Sequence, residues 1–184
     1  MTVLENFKKI CEIPHCSHET EALKTYLIAT CEALDYEVNV DTIGNILCHK
    51  EKSDITLQTH YDMVCIGKAP ALELEEKSGW LHAKESSLGA DNGMGIAITL
   101  ALMQEGYCVD ALFTAQEEVG LLGARGLTLE LQTPKLLNLD SEEEGIVTIG
   151  CAGGVDILVR LPITKIEEEV VLNQVVASGY EGRN

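Results

Sequence analysis

Three apolar segments, separated by helical stretches, restrict the folds that this chain can adopt. Residues 55–60, 109–115 and 135–140 have the length and apolar content of buried β-strands. Between them, residues 92–106 are apolar on nearly all sides, and residues 119–129 form a glycine-punctuated helical pattern. Because strands that alternate with helices form sheets with helices packed against them, we predict an α/β sandwich.

The remaining segments predict helices near the start of the chain and strands further on. Residues 2–13, with a capping-box pattern in Thr2 and Glu5, predict an amphipathic helix, and a second helix should follow Ser17 and end near Asp35. Further strands are predicted at residues 36–40, 45–49, 145–149, 155–161 and 170–176, and a loop or hairpin at 67–84.

The charge of the chain narrows the range of its partners. Thirteen Lys and Arg residues against 30 Asp and Glu residues give a formal net charge of −17, so the surface repels phosphate and anionic lipid. We therefore expect no nucleic-acid and no membrane-surface partner, and a cation or a cationic substrate fits better. Solubility alone is the simpler explanation of such acidity, unless acids stand at strand ends among histidines.

The cysteines indicate a reducing compartment. There are seven of them, an odd number, and no Cys-x-x-Cys pair occurs, which argues against a disulfide framework. No apolar run reaches the roughly 18 residues that a membrane span needs, and residues 1–5 lack the basic start of a signal peptide. We therefore expect a cytoplasmic protein.

Histidine and acidic residues stand where predicted strands end or predicted helices begin. These residues are His60, Asp91, the pair Glu117 and Glu118, and Asp140. In an open α/β sheet such strand ends border the ligand crevice, so the four positions can converge on one site. Mixed nitrogen and carboxylate ligands suit zinc, and a carboxylate can bridge two ions.

Each of these residues has an ordinary alternative role when it stands alone. A His-x-Asp tripeptide is common, Asp91 suits a helix N-cap, and the glutamate pair could be an exposed helix start. The chemistry is nevertheless consistent, since Asp62 could accept the second ring N–H of His60 from two positions along the strand. One glutamate could bind metal, and Glu117 could take a proton from water and return it to a leaving amine.

The remaining histidines offer a rival site. His15, Cys16 and His18 are close in sequence and include metal-binding residue types, but they lack partners at metal-site spacing. We interpret their side chains as capping or packing groups. His49 and His82 have no companion pattern at all.

Taken in order, the motifs resemble those of the aminoacyl-histidine dipeptidases (Xaa-His dipeptidases, peptidase D), a branch of the co-catalytic zinc peptidase superfamily. The matching segments are residues 59–64 (THYDMV), 88–93 (LGADNG), 117–120 (EEVG), 138–145 (NLDSEEEG) and 150–154 (GCAGG). The resemblance covers nearly the whole chain. It implies an α/β fold of the mixed-sheet α/β/α kind that forms the catalytic domain of these peptidases.

The resemblance also implies a role for each site residue. The metal ligands would be His60, Asp91, Glu118 and Asp140. Asp91 would bridge two zinc ions, with His60 and Asp140 on one side and Glu118 on the other. The two catalytic residues would be Glu117, as general base, and Asp62, which orients the histidine. The peptide bond after Asp91 would be cis, and manganese or cobalt would suit the same donors as zinc.

The implied activity is the metal-dependent hydrolysis of dipeptides of the Xaa-His type, with a homodimer expected for the full-length protein. Residues 1–150 would be the N-terminal part of the catalytic domain and residues 151–184 the beginning of a lid or dimerisation domain. Relatives take a fifth ligand, a histidine, from a later segment, and this chain has no histidine after His82. We therefore expect this chain alone to be inactive. The alternatives are a tripeptidase or acyl-amino-acid deacylase of the same superfamily, or a non-catalytic metal-binding fragment.

Overall fold

The computed structural model describes residues 1–141 and 145–150 of the chain. Met1–Glu142 form a first compact unit, and the chain from Glu143 onward forms a second, in which residues 145–150 are described. The strands predicted at residues 155–161 and 170–176 lie outside the described residues. The division of the chain into domains at residues 1–150 and 151–184 stays a prediction.

A five-stranded mixed sheet organises the first unit. The elements in chain order are α1 (Val3–Cys11), α2 (Glu21–Glu32), β1 (Glu37–Val40), β2 (Ile46–His49), β3 (Thr56–His60), β4 (Leu74–Lys77), β5 (Trp80–Ala83), α3 (Ala90–Gln104), β6 (Asp110–Thr114), α4 (Leu122–Arg125) and β7 (Leu136–Asn138). The strand order in the sheet is β1-β2-β6-β3-β7. β3 runs parallel to both β6 and β7, whereas β1 and β2 are antiparallel additions. The carboxyl ends of β3, β6 and β7 therefore meet at one edge.

The helices α1, α2 and α3 pack against one face of this sheet. Ile46 pairs with Phe113 and Cys48 with Ala111, so these alternate residues of β2 and β6 point to the same face. They are buried in one cluster with helix side chains, namely Phe7, Ile10, Leu23, Leu27, Ile96 and Leu100. The predicted α/β fold is thereby confirmed. None of the described helices is long and apolar enough to cross a membrane.

Local sequence signals set the ends of several elements. The Thr2 side chain accepts the backbone N–H of Glu5, and the Glu5 carboxylate accepts the backbone N–H of Thr2, so the predicted capping box begins α1. Helix α2 begins at Glu21, later than predicted, because Ser17 bonds to the chain after β3 and His18 has a left-handed backbone (φ 70°). The segment 67–84 contains the β4–β5 hairpin.

Two predicted elements are shortened or missing. The helical pattern at 119–129 forms only α4, because Gly120 (φ 106°) and Leu121 (φ 59°) adopt left-handed backbone before it. A Cβ at Gly123 would collide with the backbone oxygen of Ala115, so glycine is needed where α4 touches the end of β6. The strand predicted at 145–149 is wrong, since these exposed residues pair with no described strand.

A disulfide joins Cys16 and Cys65, whose Cα atoms lie 5.5 Å apart. The sequence argument against disulfide bonding is wrong for this pair, which is 49 residues apart and bears no motif that marks it. The pairing follows from the fold, since Cys16 forms a parallel bridge with Met63 just after β3. The other described cysteines are free, namely Cys11, Cys31 and Cys48, which are buried, and Cys108, which is exposed.

Asn45 links the β1–β2 turn to the chain that leads out of β6. Its fully buried side chain donates to Asp41 Oδ2 (2.8 Å) and to the Gly123 oxygen (2.9 Å). Its Oδ1 accepts the backbone N–H of Ala115 (3.0 Å). An alanine here would leave a buried N–H and a buried carbonyl without these partners.

We therefore expect Asn45→Ala to lower the free energy of unfolding by about 2–4 kcal/mol. Urea denaturation followed by circular dichroism measures this loss. Asn39→Ala, on the exposed strand β1, is the matched control and should change the free energy by less than about 0.5 kcal/mol. Equal losses in the two variants would contradict the structural role of Asn45.

Candidate metal centre

The predicted site residues lie together at the carboxyl edge of the parallel strands. His60 is the last residue of β3, Glu117 follows β6, and Asp140 follows β7. Because β3 lies between β6 and β7, the histidine occupies the middle of this edge. Asp91 reaches it from the start of α3. The sheet topology thus brings distant segments of the sequence to one place, as expected for an α/β crevice.

His60 is the buried centre of the cluster, with 1% of its side chain exposed. Its Nε2 lies 3.0 Å from Asp91 Oδ1, 3.8 Å from Asp140 Oδ1 and 3.9 Å from Glu117 Oε2. The Asp91 carboxylate is 65% exposed, so the cluster opens to solvent on that side. One nitrogen and several carboxylate oxygens around a single point suit a divalent metal ion.

Within the described part of the chain, two sets of three residues have the spacing to hold an ion. In each set the ligand atoms lie within 4.8 Å of one another, and His60 belongs to both. The first set adds Asp91 and Asp140, and the second adds Glu117 and Glu118. Among the described residues, no such set joins Asp91 to Glu118. The first set therefore matches the grouping that the sequence resemblance implies, and the second does not.

The orientation of the His60 ring comes from the backbone of Asp62. Ring Nδ1 lies 2.9 Å from the Asp62 backbone oxygen and 3.5 Å from its carboxylate Oδ1. Since a carbonyl oxygen can only accept, Nδ1 carries a proton and Nε2 faces the carboxylate cluster. The sequence prediction gave this partnership to the Asp62 carboxylate, whereas the shorter contact is made by the main chain.

The Asp62 carboxylate instead holds the segment that carries the two glutamates. It is fully buried and accepts the backbone N–H groups of Glu117 (2.8 Å) and Glu118 (3.3 Å). The Ser17 hydroxyl donates to the same carboxylate at 2.8 Å. Burial opposes ionisation of this group, but the hydrogen bonds from His60, Glu117 and Ser17 outweigh it and lower the pKa of Asp62.

Asn92 performs a similar task for Asp140, and the sequence analysis did not identify it. Its buried side chain donates to Asp140 Oδ1 (2.7 Å) and to the Leu139 oxygen (3.2 Å). A Cβ at Gly95 would collide with this amide, so the glycine makes room for it. The peptide bond between Asp91 and Asn92 is cis, as the resemblance predicts.

The ionisable groups of the cluster have pKa values that indicate concentrated negative charge. Burial raises the pKa of Glu117 and outweighs the lowering effect of the neighbouring His60. Burial also raises the pKa values of Glu118 and Asp140. Burial disfavours protonated His60, yet its contact with Asp62 and the charge of Asp140 outweigh this and raise its pKa to about 9. A bound cation would relieve this accumulation of carboxylates.

Among the other histidines, His15 and His49 each have a hydrogen-bond partner at Nδ1, and His18 and His82 lie on the surface. His15 is buried, with Nδ1 2.6 Å from the Ile13 oxygen, and His49 Nδ1 lies 2.7 Å from Asp110 Oδ2. His82 is exposed on β5. The interpretation of His15 as a packing residue is confirmed. Ser17, which stands in the same segment, was not recognised as a partner of the site, because a single serine carries no sequence signal for such a contact.

The chain has relatives among known peptidases, although no protein-family model matches it. The cytosol non-specific dipeptidase of Escherichia coli (strain K12) is 34% identical over 195 aligned positions, covering 95% of this chain and 39% of that protein. The crystal structure of aminoacylhistidine dipeptidase from Vibrio alginolyticus has 34% identity and a TM-score of 0.74, covering 84% of this chain and 36% of that one. A tripeptidase structure from Staphylococcus aureus, 22% identical with a TM-score of 0.70, covers 77% of this chain and 43% of that one and shares the fold.

The fold and these matches show that the chain belongs to a family of peptide hydrolases. Within them it is a relative of the aminoacyl-histidine dipeptidases, at 34% identity to each of the two dipeptidases, so the resemblance drawn from the motifs is confirmed. The chain spans less than two fifths of the length of these relatives, 39% of one and 36% of the other.

Asp62 provides a direct test of how the site is supported. We expect Asp62→Asn to weaken zinc binding by about 10–100-fold, because it replaces the carboxylate that positions both glutamates and lies beside the histidine. Isothermal titration of the chain with Zn²⁺ measures the change. Asp54→Asn is the matched control, since the Asp54 side chain is 72% exposed and pairs with Lys135 before the start of β3, whereas His60 lies at the other end of that strand. Zinc affinity within twofold of the unsubstituted chain would count against this role.

Proposed function

We propose that the whole protein is a metal-dependent dipeptidase and that this chain supplies most of its catalytic site. The observation that carries the proposal is the convergence of His60, Asp91 and Asp140 within 4.8 Å at the carboxyl edge of the sheet. Identity of 34% to two dipeptidases supports the reaction class. Metal-dependent hydrolysis of a peptide bond needs an activated water molecule, and the histidine and carboxylate side chains at this edge are groups that can activate one.

We propose zinc as the metal, two ions in the complete site, with His60, Asp91, Glu118 and Asp140 as protein ligands. The donor chemistry fits, since one imidazole and several carboxylates bind zinc readily, and manganese or cobalt would also be accepted. The hydrogen bonds described above hold His60 through Nδ1 and Asp140 through Oδ1, and they direct His60 Nε2 toward the carboxylates of Asp91 and Asp140. Such outer contacts orient ligands in metal sites generally.

A bound zinc ion supplies Lewis acidity toward the scissile carbonyl and the attacking water. Glu117 is proposed to take the proton of that water on its carboxylate and to return it to the nitrogen of the leaving amine. Its raised pKa supports this role, because a more basic carboxylate accepts a proton more readily near neutral pH. Asp62 is proposed to assist by holding the Glu117 backbone in place.

The preferred substrate is proposed to be a dipeptide with C-terminal histidine. The Vibrio relative is named an aminoacylhistidine dipeptidase, whereas the E. coli relative is named a non-specific dipeptidase, so the preference requires measurement. We further propose a cytoplasmic location, which the name of the E. coli protein states for that protein, and a homodimer for the full-length enzyme. Small peptides, rather than nucleic acid or membrane, are the expected partners of so acidic a chain.

This chain alone is proposed to be inactive as a peptidase. Residues 1–150 would contribute the first part of the catalytic domain and residues 151–184 the start of a lid domain. The second metal position then has too few ligands, because no histidine follows His82 to complete it. Efficient dipeptide turnover by these 184 residues would overturn this part of the proposal.

The deciding experiment compares the full-length protein with this chain, each loaded with Zn²⁺. Hydrolysis is followed with dipeptides that do and do not end in histidine, with a tripeptide and with an acyl-amino acid. If the proposal is correct, the full-length protein cleaves dipeptides, a chelator abolishes this cleavage, and added zinc restores it. Exclusive cleavage of the tripeptide or the acyl-amino acid would favour another branch of the superfamily. Zinc binding without any cleavage would favour a non-catalytic metal-binding protein.

A further inference from the structure

The segment just before α2, residues 15–18, supports the metal centre without supplying a ligand. The backbone N–H of Met63 donates to the His15 oxygen (3.0 Å), and the N–H of Ser17 donates to the Met63 oxygen (3.1 Å). The segment therefore runs alongside the chain that leaves β3 immediately after His60.

Ser17 connects this segment to the catalytic edge. Its hydroxyl donates to Asp62 Oδ2, the oxygen that also accepts the backbone N–H of Glu118, while Asp62 Oδ1 accepts that of Glu117. A second contact lies next to it, since the backbone N–H of His18 donates to the Gln116 side chain (2.9 Å). Two successive residues of the segment thus hold the turn that presents the glutamates.

The Cys16–Cys65 disulfide fastens the same segment covalently. It links the residue directly before Ser17 to the chain three residues beyond Asp62. Both cysteines are partly exposed, so small thiols can reach them, whereas three of the four free cysteines described are buried. A disulfide in a reducing compartment is usually transient and redox-sensing rather than structural.

We propose that the Cys16–Cys65 disulfide is a redox-controlled clamp on the metal centre, acting through Ser17 as a positioning residue. When the disulfide is closed, Ser17 is held against Asp62 and the metal ligands are preorganised. When it is open, that contact loosens and zinc is bound more weakly. This regulation rests on the proposed function, because it concerns the same zinc site.

The redox step is an exchange with a low-molecular-weight thiol and its disulfide. One small thiolate attacks a sulfur of the Cys16–Cys65 bond and forms a mixed disulfide, releasing the other protein thiolate, which takes up a proton. A second small thiolate then attacks the small-molecule sulfur of the mixed disulfide and displaces the remaining protein thiolate, which also takes up a proton, giving one small disulfide and two protein thiols. Two electrons pass from the small thiols to the protein pair, and the reverse exchange closes the clamp.

The test compares zinc affinities of the oxidised 184-residue chain and of Cys16→Ala/Cys65→Ala, which lacks the bond without adding thiol ligands. Isothermal titration with Zn²⁺ should show about tenfold weaker binding by the double variant, as for the loss of an outer partner. By linkage, saturating zinc should make the disulfide about tenfold harder to reduce with small thiols. Affinities that agree within twofold would overturn the clamp.

Variants of Ser17 test the route of the effect. Ser17→Ala should also weaken zinc binding about tenfold, and Ser17→Thr, which keeps the hydroxyl, should restore most of it. If the disulfide acts through Ser17, the triple variant with all three alanines should bind no more weakly than the double variant, since the effects are then not additive. Fully additive losses would overturn that route.

A readout without metal separates failure of the clamp from failure of the proposed function. In the metal-free chain, hydrogen exchange at the Glu117 and Glu118 amides should be faster in the double variant than in the oxidised chain, because those amides donate to Asp62. Unchanged exchange would overturn the clamp on its own. Zinc binding that does not weaken in His60→Ala would overturn the zinc site, and with it the regulation of that site.

Discussion

Replacing His60 with alanine is expected to abolish tight zinc binding by this chain. His60 belongs to both sets of potential ligands found among the described residues, so removing its imidazole disables each set. The loss should exceed the roughly 10–100-fold that typically follows removal of an outer partner, because a direct ligand disappears. Isothermal titration with Zn²⁺, together with metal analysis after dialysis, measures it.

The control for this variant must separate ligand loss from unfolding, because His60 is almost fully buried. His60→Asn has a polar side chain that is smaller than histidine and larger than alanine. We expect this variant to fold and to bind zinc weakly. His82→Ala removes an exposed histidine and should leave the affinity unchanged. If His60→Ala is folded by circular dichroism and keeps the original affinity, the site assignment is wrong.

The convergence of the ligands could be predicted because it depends on strand ends, which the sequence marks well. His60 ends an apolar strand, and Glu117 and Asp140 each follow one. Parallel pairing brings such strand ends together. Asp91 was recognised at a helix start, and it lies there. Residue type and position relative to the strands were enough for this part of the site.

The supporting contacts could not be predicted, because they depend on backbone groups and on distant pairing. Asp62 binds main-chain N–H groups 55 and 56 residues away, which its sequence neighbours do not indicate. Cys16 and Cys65 are paired only because the segment before α2 lies beside the chain after β3. The spacing of these residues in the sequence indicates neither the contacts of Asp62 nor the pairing of the two cysteines.

The misjudged elements of the fold have similar causes. The apolar residues 119–129 fit a helical pattern, but the positive φ angles at Gly120 and Leu121 delay the helix, and only a Leu122–Arg125 turn forms. Residues 145–149 alternate like a strand, yet a strand also needs a partner, and none of the described strands provides one. A local sequence pattern indicates a preferred secondary structure, but contacts in the folded protein decide whether that structure forms.

Replacing Glu117 with glutamine in the full-length protein is expected to lower kcat by about 10²–10⁴-fold, the usual contribution of a general acid–base group. Glutamine has nearly the same shape, and its backbone N–H can still donate to Asp62, so the turn should be preserved. KM for a dipeptide should change little, since the carboxylate acts on the proton rather than on substrate binding. Steady-state kinetics with the zinc-loaded enzyme measures both constants.

The adjacent glutamate, Glu118, supplies the comparison that tests the role of Glu117. Glu117 and Glu118 share a potential ligand set with His60, so geometry alone allows either one to bind metal. If Glu117 moves protons and Glu118 binds zinc, Glu117→Gln keeps the zinc content and loses turnover, whereas Glu118→Gln loses zinc as well. Glu130→Gln, at an exposed position, should change neither. Loss of zinc in Glu117→Gln with retention in Glu118→Gln would reverse the two roles.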